Sequence, residues 1–317
     1  MDQNNHFNAI IIGGGPAGLT AGIYLSRAKA RTLILNEGVT GGQMVLTHEI
    51  ANYPGVESIS GFQLSNIMKK QALAFGCELK ANISISDLKL DEKLKQVVLS
   101  DGSVFTADTV ILAPGGRPRT IGAERENDFK GRGISYCATC DGDFFTGKEI
   151  VVVGGGNSAL EEAVSLTKYA SRVTVVHQFE DFQAYGHAIE EAYRNTKVHF
   201  ILGSTITAFH GNESITSVDI KNLKSGETVS FETEGAFIFI GYVPNTAFLR
   251  GKIILNDKGE IEVNSDMETS VPGVFAAGDC ISKRYRQVTT AVGDGTIAAL
   301  SALNHLHHKG SETSASS

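Results

Sequence analysis

The stretch NAIIIGGGPAG at residues 8–18 joins a strand-sized apolar run to a glycine-rich turn. Glycines at positions 13, 15 and 18 have the spacing of a dinucleotide-binding turn, where they allow a tight bend, close approach to a pyrophosphate, and close helix–strand packing. We expect a helix to begin near Pro16, with its free N–H groups facing the phosphates. A second strand at 31–35 ends beside Glu37, an acid at the distance expected of a ribose-binding residue. The stretch therefore predicts a flavin or nicotinamide dinucleotide site.

The same pattern returns in the middle of the chain as IVVVGGGNSA at residues 150–159. A predicted strand at 149–153, the glycine turn, a helix at 158–169 and a strand at 172–176 repeat the first order. Short β-branched runs that alternate with helices are typical of βαβ units on a parallel sheet. We therefore predict an α/β fold with two Rossmann-like dinucleotide-binding domains, each with three layers of the ββα/α-β kind.

The order of the segments predicts how the two domains share the chain. A length of 317 residues favours two domains. An apolar strand within 273–279 and a terminal helix from about 288 follow the second copy, and we expect both to complete the first sheet. The first domain would then be discontinuous, 1–118 and 247–317, with the second, 119–246, inserted into it.

Composition limits the class of function. A net charge of −7 provides no basic face for nucleic acid. The longest apolar runs have the length of strands, too short to span a bilayer, and the polar start predicts no signal peptide. Four cysteines, two of them isolated at Cys77 and Cys280, make no disulfide framework. We expect a cytoplasmic protein in a reducing compartment, with no membrane and no nucleic-acid partner.

The close cysteine pair lies between the two glycine turns, in Cys137-Ala138-Thr139-Cys140-Asp141. Cysteines with this spacing can form a small disulfide ring, and their thiolates exchange with other disulfides. Asp141 follows immediately and is placed to move a proton as thiols form and break. A zinc site would need a second close pair of ligands, which the chain lacks. The pair therefore predicts redox catalysis and no metal.

The second glycine turn lacks the charges that usually bind its nucleotide. Glu37 lies 24 residues after Gly13, and the position 24 residues after Gly154 is Gln178. Gln178 supplies neither the carboxylate that favours NAD nor an arginine for the 2′-phosphate of NADP. Because a neutral Gln can hydrogen-bond ribose hydroxyls, two readings stay open: a weak NADH site, or a Rossmann unit kept for packing and domain motion.

Taken together, these motifs resemble the low-molecular-weight thioredoxin reductases over essentially the whole chain. The motifs that carry the resemblance are GGGPAG at 13–18, GGQ at 41–43, NYPG at 52–55, CATCD at 137–141, GGGNSA at 154–159, GVFAAGD at 273–279 and YRQ at 285–287.

The resemblance implies an FAD in the first domain and a redox role for the second. The implied FAD contacts are Gly13, Gly15, Pro16, Ala17, Gly18, Glu37, Gly41, Gly42, Gln43, Asn52, Ala113, Gly115, Gly278, Asp279, Arg286, Gln287 and Val288. The same resemblance implies that Cys140 is the flavin-facing thiol, Cys137 the interchange thiol and Asp141 the acid/base. The resemblance also implies a homodimer and rotation of the inserted domain.

One departure from the family pattern concerns the electron donor. NADPH-using members carry His-Arg-Arg-x-x-x-Arg where this chain reads HQFEDFQ at 177–183. A charge-assisted contact to phosphate contributes roughly 1.5–3 kcal/mol, so the loss of three arginines would remove useful NADPH affinity. The departure resembles the ferredoxin-dependent flavin thioredoxin reductases and also the dithiol oxidases of natural-product pathways.

We therefore predict a flavin-dependent disulfide oxidoreductase that passes electrons from FAD through Cys140 and Cys137 to a thioredoxin-like protein. The expected donor is a ferredoxin-like protein, and its acidic surface would need a basic patch, for which Lys283, Arg284 and Arg286 are candidates. Three alternatives remain: an NAD(P)H-dependent thioredoxin reductase, a small-molecule dithiol oxidase that uses O2, and a non-catalytic flavin-binding redox sensor.

Overall fold

The structure is a computed structural model that describes residues 5–47 and 50–315. The chain divides into two compact units, Met1–Arg117 with Val243–Ser317, and Pro118–Tyr242. Within the described residues no helix is both long and apolar enough to cross a membrane. No group of three or more His, Cys, Asp or Glu side chains in those ranges could hold a metal ion.

The helices and strands follow in chain order. Up to the first boundary they are β1 (His6–Ile12), α1 (Pro16–Arg27), β2 (Thr32–Asn36), α2 (Gly61–Ala74), β3 (Glu78–Ala81), β4 (Ile85–Lys89), β5 (Lys95–Leu99), β6 (Val104–Leu112) and β7 (Gly116–Pro118). Next come β8 (Ile134–Ser135), α3 (Ala138–Asp141), β9 (Glu149–Val153), α4 (Asn157–Leu166), β10 (Arg172–Val176), α5 (Gly186–Arg194), β11 (Val198–Ile201), β12 (Ser204–Gly211), β13 (Ile215–Asn222), β14 (Thr228–Glu232) and β15 (Gly235–Ile238). The chain ends with β16 (Tyr242–Pro244), β17 (Val274–Ala276) and α6 (Val288–Ala315).

The first unit is built on a seven-stranded sheet. Its order is β3-β2-β1-β6-β5-β4, with β17 also paired to β6. Strands β2, β1, β6 and β17 run parallel, whereas the β4–β5 hairpin is antiparallel. Ile11 and its same-face neighbours pack under the helices α1, α2 and α6. Ile10 and the opposite face pack on the β4–β5 hairpin and on residues 249–281. The returning strand β17 completes the first sheet as expected.

The second unit repeats this arrangement with a smaller sheet. Five parallel strands have the order β11-β10-β9-β15-β8. Val152 and its same-face neighbours pack on α4 and α5, while Val151 and the opposite face pack on the antiparallel sheet β12-β13-β14. Continuous β-branched runs form these strands because both faces of a parallel sheet are buried. The predicted α/β fold with two three-layer dinucleotide-binding units is confirmed.

Candidate functional site

The first glycine turn combines two crowded glycines with an open one. A Cβ on Gly13, whose φ is +110°, would lie 2.1 Å from the carbonyl oxygen of Ala113, and one on Gly18 would lie 1.9 Å from that of Gly13. A Cβ on Gly15 would meet nothing nearer than the Cα of Gly42, at 3.9 Å. Gly13 and Gly18 are therefore required by the fold, whereas Gly15 leaves a space at the N-terminus of α1, which begins at Pro16.

Asn36 at the end of β2 faces this turn. The N–H of Gly14 donates to Asn36 Oδ1 at 2.8 Å, and Asn36 Nδ2 donates to the carbonyl of Gly38 at 2.8 Å. Glu37 is exposed, and its carboxylate accepts from the N–H of Ile85 at 3.0 Å. Sequence reasoning did not predict Asn36, because the neighbouring Glu37 is the acid expected at this distance from the glycine turn. The internal repeat could have indicated it. Asn36 follows Gly13 by 23 residues, and the buried His177 follows Gly154 by the same number.

The loop after β2 closes over the turn. The N–H of Gly41 donates to the carbonyl of Gly14 at 2.7 Å, and Gly41 and Gly42 both have positive φ. Thr40, also missed by sequence reasoning, has a buried hydroxyl with no hydrogen-bond partner among the described residues. Gln43 is exposed on the short 3₁₀ helix Gly42–Leu46, and Asn52 is exposed farther along the chain. The structure thus brings Gly41 and Gly42 to the turn, together with Thr40.

Residues at the carboxyl ends of β6 and β17 meet the same turn. Ala113 and Ala277 continue the parallel ladder, donating to the carbonyls of Ile12 at 2.7 Å and Leu112 at 2.9 Å. Gly278, with φ +83°, would carry a Cβ 2.9 Å from that of Ala17. Gly115, just beyond β6, also has a positive φ, of 62°.

Asp279 is partly buried, and one of its carboxylate oxygens is buried and unsatisfied. Its Oδ1 has no hydrogen-bond partner among the described residues, and Lys283 Nζ lies 3.7 Å away. Burial raises the pKa of Asp279, and the cations of Lys283 and Arg286 oppose part of that rise. A buried polar atom without a partner is rare in proteins and indicates a site where a bound group completes the bonding.

The residues before α6 form ion pairs inside the unit. Lys283 Nζ donates to Asp294 Oδ2 at 2.5 Å, and Arg286 donates to the Glu260 carboxylate. Gln287 precedes α6, its N–H donating to Thr290 Oγ1 at 3.1 Å, and Val288 is the first helical residue. Lys283 and Arg286 are therefore neutralised by carboxylates. Of the three cations predicted to form a docking patch, only Arg284 is exposed.

These features fit a dinucleotide in the first unit. Gly15 leaves room where a pyrophosphate would approach the helix, and the hydroxyl of Thr40 and Oδ1 of Asp279 are buried polar atoms that a ligand could satisfy. The sequence-predicted contacts Gly13, Ala17, Ala113 and Gly278 converge there.

The cysteine pair is a disulfide at the start of α3. Cys137 and Cys140 are bonded, and Cys137 is the N-cap residue of that short helix. Asp141 Oδ2 accepts a hydrogen bond from Ser135 Oγ at 2.6 Å. Cys77 and Cys280 are buried, and burial raises the pKa of Cys77 to about 11 and that of Cys280 to about 12, as suits apolar packing residues.

The second glycine turn is covered by its own chain. The His177 ring would lie 2.3 Å from a Cβ on Gly155. The N–H of Gln183 donates to the carbonyl of Gly155 at 2.9 Å, and that of Tyr185 donates to Asn157 Oδ1 at 2.6 Å. Phe182 stacks on His177 with ring centroids 5.6 Å apart. The segment 181–185 therefore lies along the turn.

The three positions at which the resemblance implies phosphate-binding arginines carry none. Gln178, Phe179 and Gln183 are exposed at the carboxyl end of β10 and beyond, next to Glu180 and Asp181. Burial lowers the pKa of His177, so its ring is neutral at neutral pH. The pocket therefore presents neutral and acidic side chains to a ligand.

Two dinucleotide-binding folds with a Cys-x-x-Cys disulfide define a flavin-dependent disulfide oxidoreductase. The family model described as pyridine nucleotide-disulphide oxidoreductase matches residues 7–295. The chain is 44% identical over 309 residues to a thioredoxin reductase of Bacillus subtilis (strain 168), covering 96% of each protein. It is 39% identical to a "34.2 kDa protein in rubredoxin operon" of Clostridium pasteurianum, covering 98% of this chain and 100% of the other.

A solved structure agrees with these relatives. Thioredoxin reductase from Streptococcus pyogenes MGAS5005 superposes with a TM-score of 0.93 at 38% identity, covering 96% of this chain and 100% of that one. The chain belongs to the pyridine nucleotide-disulphide oxidoreductase family and, within it, to the low-molecular-weight thioredoxin reductases. It is thus a thioredoxin reductase-type flavin disulfide oxidoreductase. The predicted enzyme class is confirmed.

Proposed function

We propose that this enzyme binds FAD in the discontinuous unit, holds its redox disulfide in the inserted unit, and reduces a thioredoxin-like protein with electrons from a ferredoxin-like donor. Bound flavin would supply a carrier that can receive electrons singly and pass them on as a pair. The space beside Gly15 and the unsatisfied oxygens of Thr40 and Asp279 support that binding site.

The proposed exchange with the substrate conserves electrons and protons. The Cys137 thiolate attacks the substrate disulfide, forming a mixed disulfide and releasing one substrate sulfur. Cys140 then attacks Cys137, restoring the Cys137–Cys140 bond and releasing the second sulfur. Two electrons move from the enzyme dithiol to the substrate, and each departing thiolate takes a proton. One of these protons comes from the Cys140 thiol, which must lose it to attack, and the other comes from solvent. Asp141, which follows Cys140 and accepts from Ser135, transfers one of them in this proposal.

The proposed donor rests on the side chains at the second glycine turn. Segment 181–185 lies along it, and Gln178, Phe179 and Gln183 stand where arginines would bind the 2′-phosphate of NADPH. The neighbouring Glu180 and Asp181 would repel that dianion. The Clostridium pasteurianum relative from a rubredoxin operon supports a small iron protein as donor. An acidic partner would have to dock elsewhere than on the paired Lys283 and Arg286.

Parallel anaerobic titrations test the donor. Oxidised flavoprotein is titrated with NADPH, NADH and reduced ferredoxin while the flavin absorbance is followed. We expect reduced ferredoxin to bleach the flavin and, with thioredoxin added, to drive its reduction, whereas NADPH does neither. Cys140→Ser is the control: it should still bleach but reduce no thioredoxin. Bleaching by low concentrations of NADPH would refute the proposed donor.

A second candidate donor is NADH, and the observation that favours it is the neutral, exposed Gln178 at the end of β10. A Gln amide can hydrogen-bond ribose hydroxyls without meeting a phosphate. Saturable bleaching by NADH in the same titration would select this alternative. Release of hydrogen peroxide with small dithiols, and no turnover of thioredoxin, would instead identify a dithiol oxidase.

A further inference from the structure

Ser135 lies between the backbone of Cys137 and the carboxylate of Asp141. Its hydroxyl oxygen accepts the N–H of Cys137 at 3.1 Å, and the hydroxyl donates to Asp141 Oδ2 at 2.6 Å. The carbonyl of Cys137 is the other acceptor within reach, at 3.3 Å. A serine hydroxyl has one proton, and bonds to ionised acceptors are the shorter and stronger ones. The proton of Ser135 is therefore directed to Asp141.

The fold fixes Ser135 at this place. Strand β8 is only two residues long, but it is paired parallel to β15, where Ser135 opposes Phe237. The side chain is buried, with a relative exposure of 4%. Because Ser135 lies on a paired strand and is buried, its hydroxyl is positioned to hold the carboxylate of Asp141, the last residue of helix α3. Ser135 lies two residues before the CATCD motif.

We infer that Ser135 is a positioning residue that keeps the Asp141 carboxylate oriented beside the dithiol and stabilises its ionised form. This inference rests on the proposed role of Asp141 in proton transfer. Ser135 itself forms no bond to substrate and exchanges no electron. Its hydroxyl acts by favouring the carboxylate over the carboxylic acid, which sets the pH at which Asp141 holds a proton to give.

The pH profile of a single exchange reaction tests this inference. Holoenzyme reduced anaerobically with dithionite is mixed with 5,5′-dithiobis(2-nitrobenzoate), and release of the nitrobenzoate thiolate is followed from acid to alkaline pH. Loss of a hydrogen bond to a charged group costs about 1.5–3 kcal/mol, so Ser135→Ala should move the transition assigned to Asp141 upward by about one to two pH units. Alanine occupies the space of serine without its oxygen, so the fold should be retained.

Three further variants separate positioning from structure. Ser135→Thr keeps the hydroxyl and should restore the wild-type midpoint. Asp141→Asn should abolish the transition. Ser204→Ala is the matched control, because Ser204 is equally buried in the same unit but donates to the carbonyl of Leu202 at 2.9 Å; its midpoint should not move.

Each failure has its own meaning. If Asp141→Asn keeps the transition, the acid/base role in the proposed function fails, and the role of Ser135 fails with it. If Asp141→Asn abolishes the transition while Ser135→Ala leaves the midpoint unchanged, only the inference about Ser135 is overturned. An equal shift in Ser204→Ala would also overturn it, because a general loss of buried hydrogen bonding would then explain the change.

Discussion

Gly15 and Gly156 occupy the same place in the two glycine turns, and the protein itself requires neither. An added Cβ would find its nearest neighbour at 3.9 Å in both cases, the Cα of Gly42 and the carbonyl oxygen of Gln183. Their φ angles of −79° and −89° suit any residue. In the first unit, where Thr40 and Asp279 have unsatisfied oxygens, such a glycine indicates a ligand that approaches the backbone closely.

We therefore expect the two alanine variants to differ. Gly15→Ala should weaken FAD binding about fivefold to a hundredfold, because overpacking costs about 1–3 kcal/mol, while the thermal stability of the flavin-free protein stays unchanged. Gly156→Ala should change neither quantity. FAD titration of the apoproteins and thermal unfolding provide the measurements. Wild-type FAD affinity in Gly15→Ala would contradict the proposed cradle.

We expect Asp279 to lower the free energy of unfolding of the flavin-free protein by an amount that depends on pH. Because burial raises its pKa, the folded protein binds a proton more readily than the unfolded chain, and stability falls as the pH rises through the folded pKa. Asp279→Asn removes this cost, so the flavin-free variant should be the more stable protein at neutral pH. The difference should vanish below the ordinary carboxyl pKa of about 3.9.

The same substitution should weaken FAD binding, because a charged acceptor becomes a neutral amide. Urea unfolding of the apoproteins across pH, combined with FAD titration, separates the two effects. Lys283 is also paired with Asp294 at 2.5 Å, so the substitution still leaves this cation a partner. Equal stability of the two apoproteins at every pH would contradict the role assigned to burial.

At the scale of elements, a buried carboxylate forms hydrogen bonds next to strand β8 and the cysteine pair. Glu126, 3% exposed, accepts from the hydroxyl of Tyr136 at 2.8 Å and from the N–H groups of Ile121 at 3.3 Å and Gly122 at 2.9 Å. Burial beside this acid raises the pKa of Tyr136, so the phenol remains a donor. The residue before Cys137 is thereby joined to the turn at 121–126.

Tyr136→Phe should lower the free energy of unfolding of the inserted unit by about 1–3 kcal/mol, because a buried carboxylate loses one donor. Hydrogen exchange of the amides between 118 and 242 under increasing urea measures this change. Tyr169→Phe is the control, since Tyr169 is 40% exposed. A loss no greater than that of the control would show that the hydrogen bond carries no stability.

At the scale of the whole molecule, we expect the absence of arginine at positions 178, 179 and 183 to determine which electron donor the enzyme uses. Gln178→Arg, Phe179→Arg and Gln183→Arg together should create affinity for adenosine 2′,5′-bisphosphate, about tenfold or more for each contact formed. Calorimetry measures this binding, and adenosine 5′-phosphate should show no comparable gain. Three arginines at the exposed positions 223, 225 and 228, which carry neutral side chains, add the same charge and control for it. Tight binding of NADPH by the unmodified protein would contradict the argument.

The architecture could be predicted from sequence because its signals are local. Glycine turns followed by helices, and β-branched runs between them, specify βαβ units without reference to distant residues. The direction of single side chains could not be predicted in the same way. Asn36 and Glu37 are adjacent, and only packing decides that the first faces the glycine turn. Arg286 is paired with Glu260, a contact between loops that no motif encodes.

Strands β7 and β16 pair with each other where the chain leaves the first unit and where it comes back. The two ends of the inserted unit are therefore neighbours, and both lie in backbone that is already hydrogen-bonded. A unit whose two ends are neighbours can be replaced as a whole at these two points without disturbing the sheet of the first unit. If the inserted unit sets the partner preference, as the proposed function implies, its exchange between relatives would transfer that preference in one event and leave the proposed flavin site in the host unit.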